Sequence, residues 1–189
     1  MGLPLGFGFL GASYAFSAFA HSYPTFSINS LAWFQLLSRP FAFAFLAFTY
    51  YFTKKTSTNT RLIGDATLSG MIVVLTSLFI LFLVAPKFAL DNYQFLSIYT
   101  RVFDIVCLVY ITFHTIRSHL VSQDSKTILT PFGYMLIGIG QYSLLIWNIG
   151  DMNNKFPFYG GLALRWIGLV LFLIIAYRTF YGSQKRIPE

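Results

Sequence analysis

The sequence predicts an all-α protein, a polytopic membrane helical bundle of six transmembrane helices arranged as three helical hairpins. Three observations predict it. Hydrophobic residues make up 56% of the chain and charged residues only 10%, far below the roughly 25% charge of soluble domains. The apolar residues gather into six runs of helix length, continuous rather than alternating, which argues against the strands of a membrane barrel. Three arginines, Arg39, Arg101 and Arg165, recur at separations of 62 and 64 residues, each a few residues inside the first end of an apolar run.

The first run is Leu3 to Ala20. Its Ala18-Phe19-Ala20 mimics a signal-peptidase site, but Met1 to Gly6 has no Lys or Arg, so a charged n-region is missing and the run is expected to stay as a helix. The second run, Leu31 to Phe52, contains Pro40, which predicts a kink beside Arg39. The third, Ala66 to Ala85, ends at Pro86. The fourth, Phe95 to Ile116, is interrupted only by Arg101 and Asp104. The fifth is Ile128 to Ile149, with Pro131 in its first turn, and the sixth is Phe158 to Phe180. Gly8, Gly11 and Ser13 in the first run, and Gly133, Gly138 and Gly140 in the fifth, are small enough to let neighbouring backbones approach.

Orientation follows from the basic residues between runs. Lys54, Lys55, Arg61, Arg117, Lys126, Arg178, Lys185 and Arg186 fall on one side and only Lys87 and Lys155 on the other. The positive-inside rule then places both termini in the cytoplasm of a multi-pass protein of the cell membrane. A basic rim facing anionic lipid accounts for most of the +7 net charge without nucleic acid.

The 189 residues read as one integral membrane domain written in three hairpin units, residues 1–64, 65–127 and 128–189. Units one and three are the most alike. Pro4, Gly6, Phe7, Gly11 and Tyr50 fall opposite Pro131, Gly133, Tyr134, Gly138 and Tyr177 at a constant offset of 127, the mark of an internal repeat.

The arginines carry the only conspicuous chemistry. Arg cannot shed its proton to escape an apolar setting, and near a helix N-terminus it opposes the macrodipole. An unpaired charge at mid-membrane costs about 2.5–3.5 kcal/mol, so compensation is expected. Asp104 follows Arg101 by three residues, which places both on one helix face. The matching positions after Arg39 and Arg165 are Ala42 and Gly168, which offer space and no charge. Convergence of the three units would leave Arg39, Arg101, Asp104 and Arg165 as a net cationic site for a lipid phosphate, a small anion or the acidic side chain of a partner subunit. The alternative is that each arginine pairs within the bundle or snorkels past Trp33, Tyr99 or Tyr159 to headgroups.

Other reactive residues argue against an enzyme. His21, His114 and His119 are not spaced to clamp a haem, and no Cys or carboxylate cluster suits a metal, so no cofactor is expected. Cys107 stands alone as a small core residue. Gln141 reads as interhelical glue toward Tyr14 or Thr76, and the Phe41, Phe45, Phe48 and Phe52 stripe as packing or a lipid face.

The stretch from Leu31 through Arg39 and Pro40 to Tyr50-Tyr51-Phe52, followed by basic Lys54 and Lys55, resembles the hairpins of multi-helix membrane input regions that precede some histidine kinases. So does the run from Gly133 to Tyr181. The sequence departs from that pattern in ending without a PAS, kinase or other output domain, so the resemblance implies sensing only through a separate partner. Three function classes follow: a non-catalytic accessory or scaffold subunit of a larger membrane complex, a stand-alone sensor module binding a small anionic or lipid ligand, and a small carrier or channel.

Overall fold

Long apolar segments with few helix breakers satisfy their backbone polar groups internally only as helices, and the computed structural model is all-α throughout its described residues, 6–8, 10–14, 28–53, 58–84, 93–122, 128–150 and 155–182. Residues 6–8 and 10–14 are helical and are called α1. They are followed by α2 (Ile28–Thr53), α3 (Thr58–Val84), α4 (Tyr93–Ser122), α5 (Leu129–Ile149) and α6 (Phe156–Gly182). The Ala18-Phe19-Ala20 segment and His21 lie outside the described residues.

Among the described residues, three helical stretches are long and apolar enough to cross a membrane: Phe95–Val121, Leu129–Ile149 and Phe156–Arg178. Even the shortest, at 21 residues, spans about 31 Å at 1.5 Å per residue, matching a hydrocarbon core of about 30 Å. Two shorter apolar stretches, Leu36–Phe52 and Leu62–Leu78, lie in α2 and α3. The helix starts earlier than the apolar run in α3, at Thr58, and continues past it in α4, to Ser122. Charged and polar residues end an apolar run without ending a helix, so the unit boundary read at Gly64 falls inside α3. Helix α2 continues on both sides of Pro40.

The chain divides into two compact units, Met1–Cys107 and Leu108–Glu189, with the division inside α4. In the first, Gly6, Leu10 and Ser13 form the buried stripe of α1, spaced by four and three residues. A Cβ at Gly6 would stand 2.7 Å from Leu46 Cγ and 3.2 Å from the Ala42 carbonyl oxygen, so α1 lies directly on α2. Helix α3 returns along α2, where Gly64 meets the Phe52 ring. The aromatic stripe of α2 serves both expected purposes: Phe45 is fully buried, whereas Phe48 is exposed and stacks on Phe52. Of the small residues of α1, Ser13 is buried, but Gly8 has nothing within 4 Å of its Cβ position, nor has Gly11.

In the second unit α5 and α6 form a tight antiparallel hairpin. Its seam holds two glycine pairs: a Cβ at Gly140 would stand 2.8 Å from the Gly161 carbonyl oxygen, and one at Gly168 would stand 2.9 Å from the Gly133 carbonyl oxygen. Both helices space these glycines seven residues apart, two helical turns, so the same close approach repeats along the seam. The Tyr134 ring meets that of Phe172 at 4.6 Å, the Trp147 ring meets that of Phe158 at 4.8 Å, and Ser143 Oγ donates to the Pro157 carbonyl at 2.7 Å. Gly138, expected at an interface of α5, faces Leu108 of α4.

Hydroxyls on the exposed face of α3 are satisfied locally. Thr67, Thr76 and Ser77 donate to the carbonyls of Ile63, Ile72 and Val73, four residues back. Such bonding lets a hydroxyl face lipid at little cost, alongside exposed Val73, Val74 and Ile80. The outer faces of α4 (Val102, Phe103, Val106, Phe113) and α6 (Trp166, Ile167, Val170, Leu173) are likewise apolar, as contact with a lipid bilayer requires.

Candidate functional site

Arg165 is carried on the line of α6 that faces α5. Gly161, Arg165 and Gly168, at spacings of four and three, are the buried residues of α6 among those described. Only 4% of Arg165 is exposed. A Cβ at Gly140 would lie 2.6 Å from Arg165 Cγ, so the missing side chain at Gly140 is what admits the arginine stem. The aliphatic part of Arg165 is packing material in the hairpin seam. It does not snorkel.

Gln141 belongs to the same layer. In the antiparallel seam Tyr134 opposes Phe172; one heptad on from Tyr134 is Gln141, and one heptad back from Phe172 is Arg165. Gln141 is 1% exposed, and its Nε2 has no hydrogen-bond partner among the described residues. The Thr76 hydroxyl, considered from sequence as its partner, donates within its own helix to Ile72.

In the first unit Arg39 is half-buried, with its guanidinium carbon 5.4 Å from the centre of the Tyr14 ring. That is within the distance at which an aromatic face attracts a cation. The contact ties α2 to α1 seven residues back from Leu46 and eight on from Gly6. The space read at Ala42 is filled by the approach of Gly6, and that at Gly168 by the approach of Gly133 and Ile137. Neither is room for a ligand.

Arg101 and Asp104 lie on one stripe of α4 that runs through Ser97, Arg101, Asp104, Leu108, Ile111 and Thr115, alternating spacings of four and three. Arg101 is half-buried, and its Nε donates to Ser97 Oγ at 3.5 Å. Asp104 is 3% exposed. Cys107, beside this stripe, is a buried free thiol. Among the described residues no three His, Cys, Asp or Glu side chains gather to hold a metal ion.

Two polar residues that sequence reasoning did not assign to a site stand out. Ser13 and Ser38 are fully buried, and among the described residues neither hydroxyl has a hydrogen-bond partner. Ser13 was visible in the sequence only as one small residue of the first run; in the structure it is fully buried.

The fold and its apolar faces define a class, the helical membrane protein. Compared with protein-family models, curated proteins and solved structures, the chain matches none.

Proposed function

We propose that the chain is a non-catalytic, multi-pass protein of the cell membrane, with six spans in three hairpins and both termini cytoplasmic, that serves as an accessory or scaffold subunit of a larger membrane complex. The observation that carries this reading is the outer face of α3. Ala66, Ser69, Gly70, Val73 and Ser77 are all exposed, and nothing lies within 4 Å of the Gly70 Cβ position. In lipid, small residues at four-residue spacing allow another helix to approach closely, whereas bulky aliphatic residues suit acyl chains. The ridge therefore suits a neighbouring helix, and Thr76 and Ser77, closed on their own backbone, do not obstruct it.

The repeat is supported by matching contacts in the outer two hairpins. Gly6 meets Leu46 and Ala42 as Gly133 meets Phe172 and Gly168, and one heptad further each hairpin carries its arginine, Arg39 against Tyr14 and Arg165 against Gly140. The decisive experiment is purification from native membranes in mild detergent with mass spectrometry of the intact particle. A stoichiometric membrane partner is expected, and Gly70→Leu should release it while far-ultraviolet circular dichroism stays unchanged. A particle containing this chain alone would refute the subunit reading.

A further inference from the structure

The described stretches of the second unit, residues 108–122, 128–150 and 155–182, hold no Asp and no Glu, yet they carry Arg117, Lys155, Arg165 and Arg178. Arg165 is buried in the hairpin seam, whereas Arg117 and Arg178 are exposed. No carboxylate in these stretches is there to pair with them.

Packing within the unit sets the depth of both. Gly140 lies against Gly161, and Gly133 against Gly168 and Phe172, so Leu129, four residues back from Gly133, is level with residues 172–176 of α6. Arg178 therefore stands beyond the start of α5 by about 3–9 Å, at 1.5 Å per residue. Helix α4 is joined to α5 by residues 123–128 alone, so the two run antiparallel, and the Gly138 Cβ position lies 3.7 Å from Leu108 Cβ. Nine residues back from Gly138 is Leu129, and nine on from Leu108 is Arg117. Arg117 is thus level with the start of α5. Because the 21 residues of α5 match the thickness of the hydrocarbon core, Leu129 marks where that core ends and a headgroup layer about 5–7 Å deep begins. Both arginines stand at this depth and on outward faces: Phe113 and Leu120, one turn to either side of Arg117, are exposed, as is Ile174, one turn before Arg178.

We propose that this end of the second unit binds anionic phospholipid headgroups through Arg117 and Arg178. A planar guanidinium donates two parallel hydrogen bonds to a phosphate. Zwitterionic lipid offers the same phosphate but returns a positive charge with its ammonium group. An anionic headgroup supplies the negative charge that the described stretches lack, and its acyl chains lie along Phe113, Ile116 and Ile174, where a soluble phosphate has nothing to contact. The site requires only that the unit spans a membrane, so it stands whether or not the protein is a complex subunit and whichever side of the membrane this end faces.

The test uses the full chain, stripped of lipid in a maltoside detergent and titrated with phosphatidylglycerol, phosphatidylcholine or inorganic phosphate, while melting temperature and lipid retained in native mass spectrometry are followed. Phosphatidylglycerol should raise the melting temperature by about 3–6 °C at ten times its dissociation constant, phosphatidylcholine should raise it clearly less, and high salt should weaken the difference. Arg117→Gln/Arg178→Gln should lose the preference for phosphatidylglycerol and keep the response to phosphatidylcholine. Both side chains are exposed, so without lipid that variant should melt as the native chain does, which separates loss of binding from loss of folding. Arg117→Lys/Arg178→Lys should keep most of the preference, and Lys155→Gln, exposed at the opposite end of the hairpin, should keep all of it. Equal responses of the native chain to the two lipids would overturn the proposal. So would a preference that survives in the glutamine variant, or inorganic phosphate acting as strongly as phosphatidylglycerol, which would make the ligand a soluble anion. A glutamine variant that keeps its lipid response but no longer retains a protein from native membranes would assign the arginines to an acidic partner instead.

Discussion

Replacing Gly140 by alanine should destabilise the second unit, whereas the same replacement at Gly160 should not. A methyl group at Gly140 would stand 2.8 Å from the Gly161 carbonyl oxygen and 2.6 Å from Arg165 Cγ. Ordinary contact begins near 3.4 Å, so the carbonyl would have to recede by about 0.6 Å, the difference between the two distances. Gly161 is backbone in a helix, and its own Cβ position already meets the Gly140 carbonyl oxygen at 2.9 Å. The strain therefore falls on the whole seam, including the Tyr134–Phe172 stack and the Ser143–Pro157 hydrogen bond. Overpacking of this kind costs about 1–3 kcal/mol. At Gly160 nothing lies within 4 Å, and alanine gains up to about 1 kcal/mol of helix propensity. That gain is common to both sites, so the difference between the variants isolates the steric cost. Equilibrium unfolding in mixed micelles with increasing dodecyl sulfate, followed by tryptophan fluorescence, measures it. Gly140→Ala should be less stable than Gly160→Ala by about 1–3 kcal/mol; equal stability, or the reverse order, would refute the glycine seam.

The same assay checks two further expectations. Ser143→Ala removes the donor to the Pro157 carbonyl and should cost about 0.5–1.5 kcal/mol, with no change in helix content by circular dichroism. Arg165→Ala should cost about 2–4 kcal/mol, because the stem against Gly140 leaves a cavity, whereas Arg165→Met keeps that volume and should be clearly less damaging. A methionine variant as unstable as the alanine one would show that charge, and not packing, is what Arg165 contributes.

The helices were legible because continuous apolar runs admit few alternatives in lipid. Their ends were not, since Thr58 to Asp65 and Arg117 to Ser122 are polar and helical at once. The site was legible residue by residue, and its surroundings were not. Arg165 appears in the sequence as a charge near the first end of an apolar run, a position from which snorkelling is ordinary. Its burial depends on Gly140, 25 residues away, being opposite it, and on Gly161 and Gly168 holding the two backbones together. The seven-residue spacing shared by Gly133–Gly140 and Gly161–Gly168 was the signal that could have shown this. Ala42 and Gly168 illustrate the converse error: a small residue beside an arginine reads as space for a ligand, but in a membrane bundle it is as readily space for the neighbouring helix.

That last point bears on how the two outer hairpins, if they share an origin, have diverged. Each places an arginine one heptad along the seam from its glycine contact, Arg39 after Gly6 and Arg165 after Gly133. The residue seven places on from that glycine in the small-residue line is Ser13 in one and Gly140 in the other. Glycine lets the arginine stem lie flat in the seam and buries it to 4% exposure. Arg39 is half-buried and lies over the Tyr14 ring. One hairpin has thus made its arginine part of the packing, while the other sets its arginine over an aromatic ring.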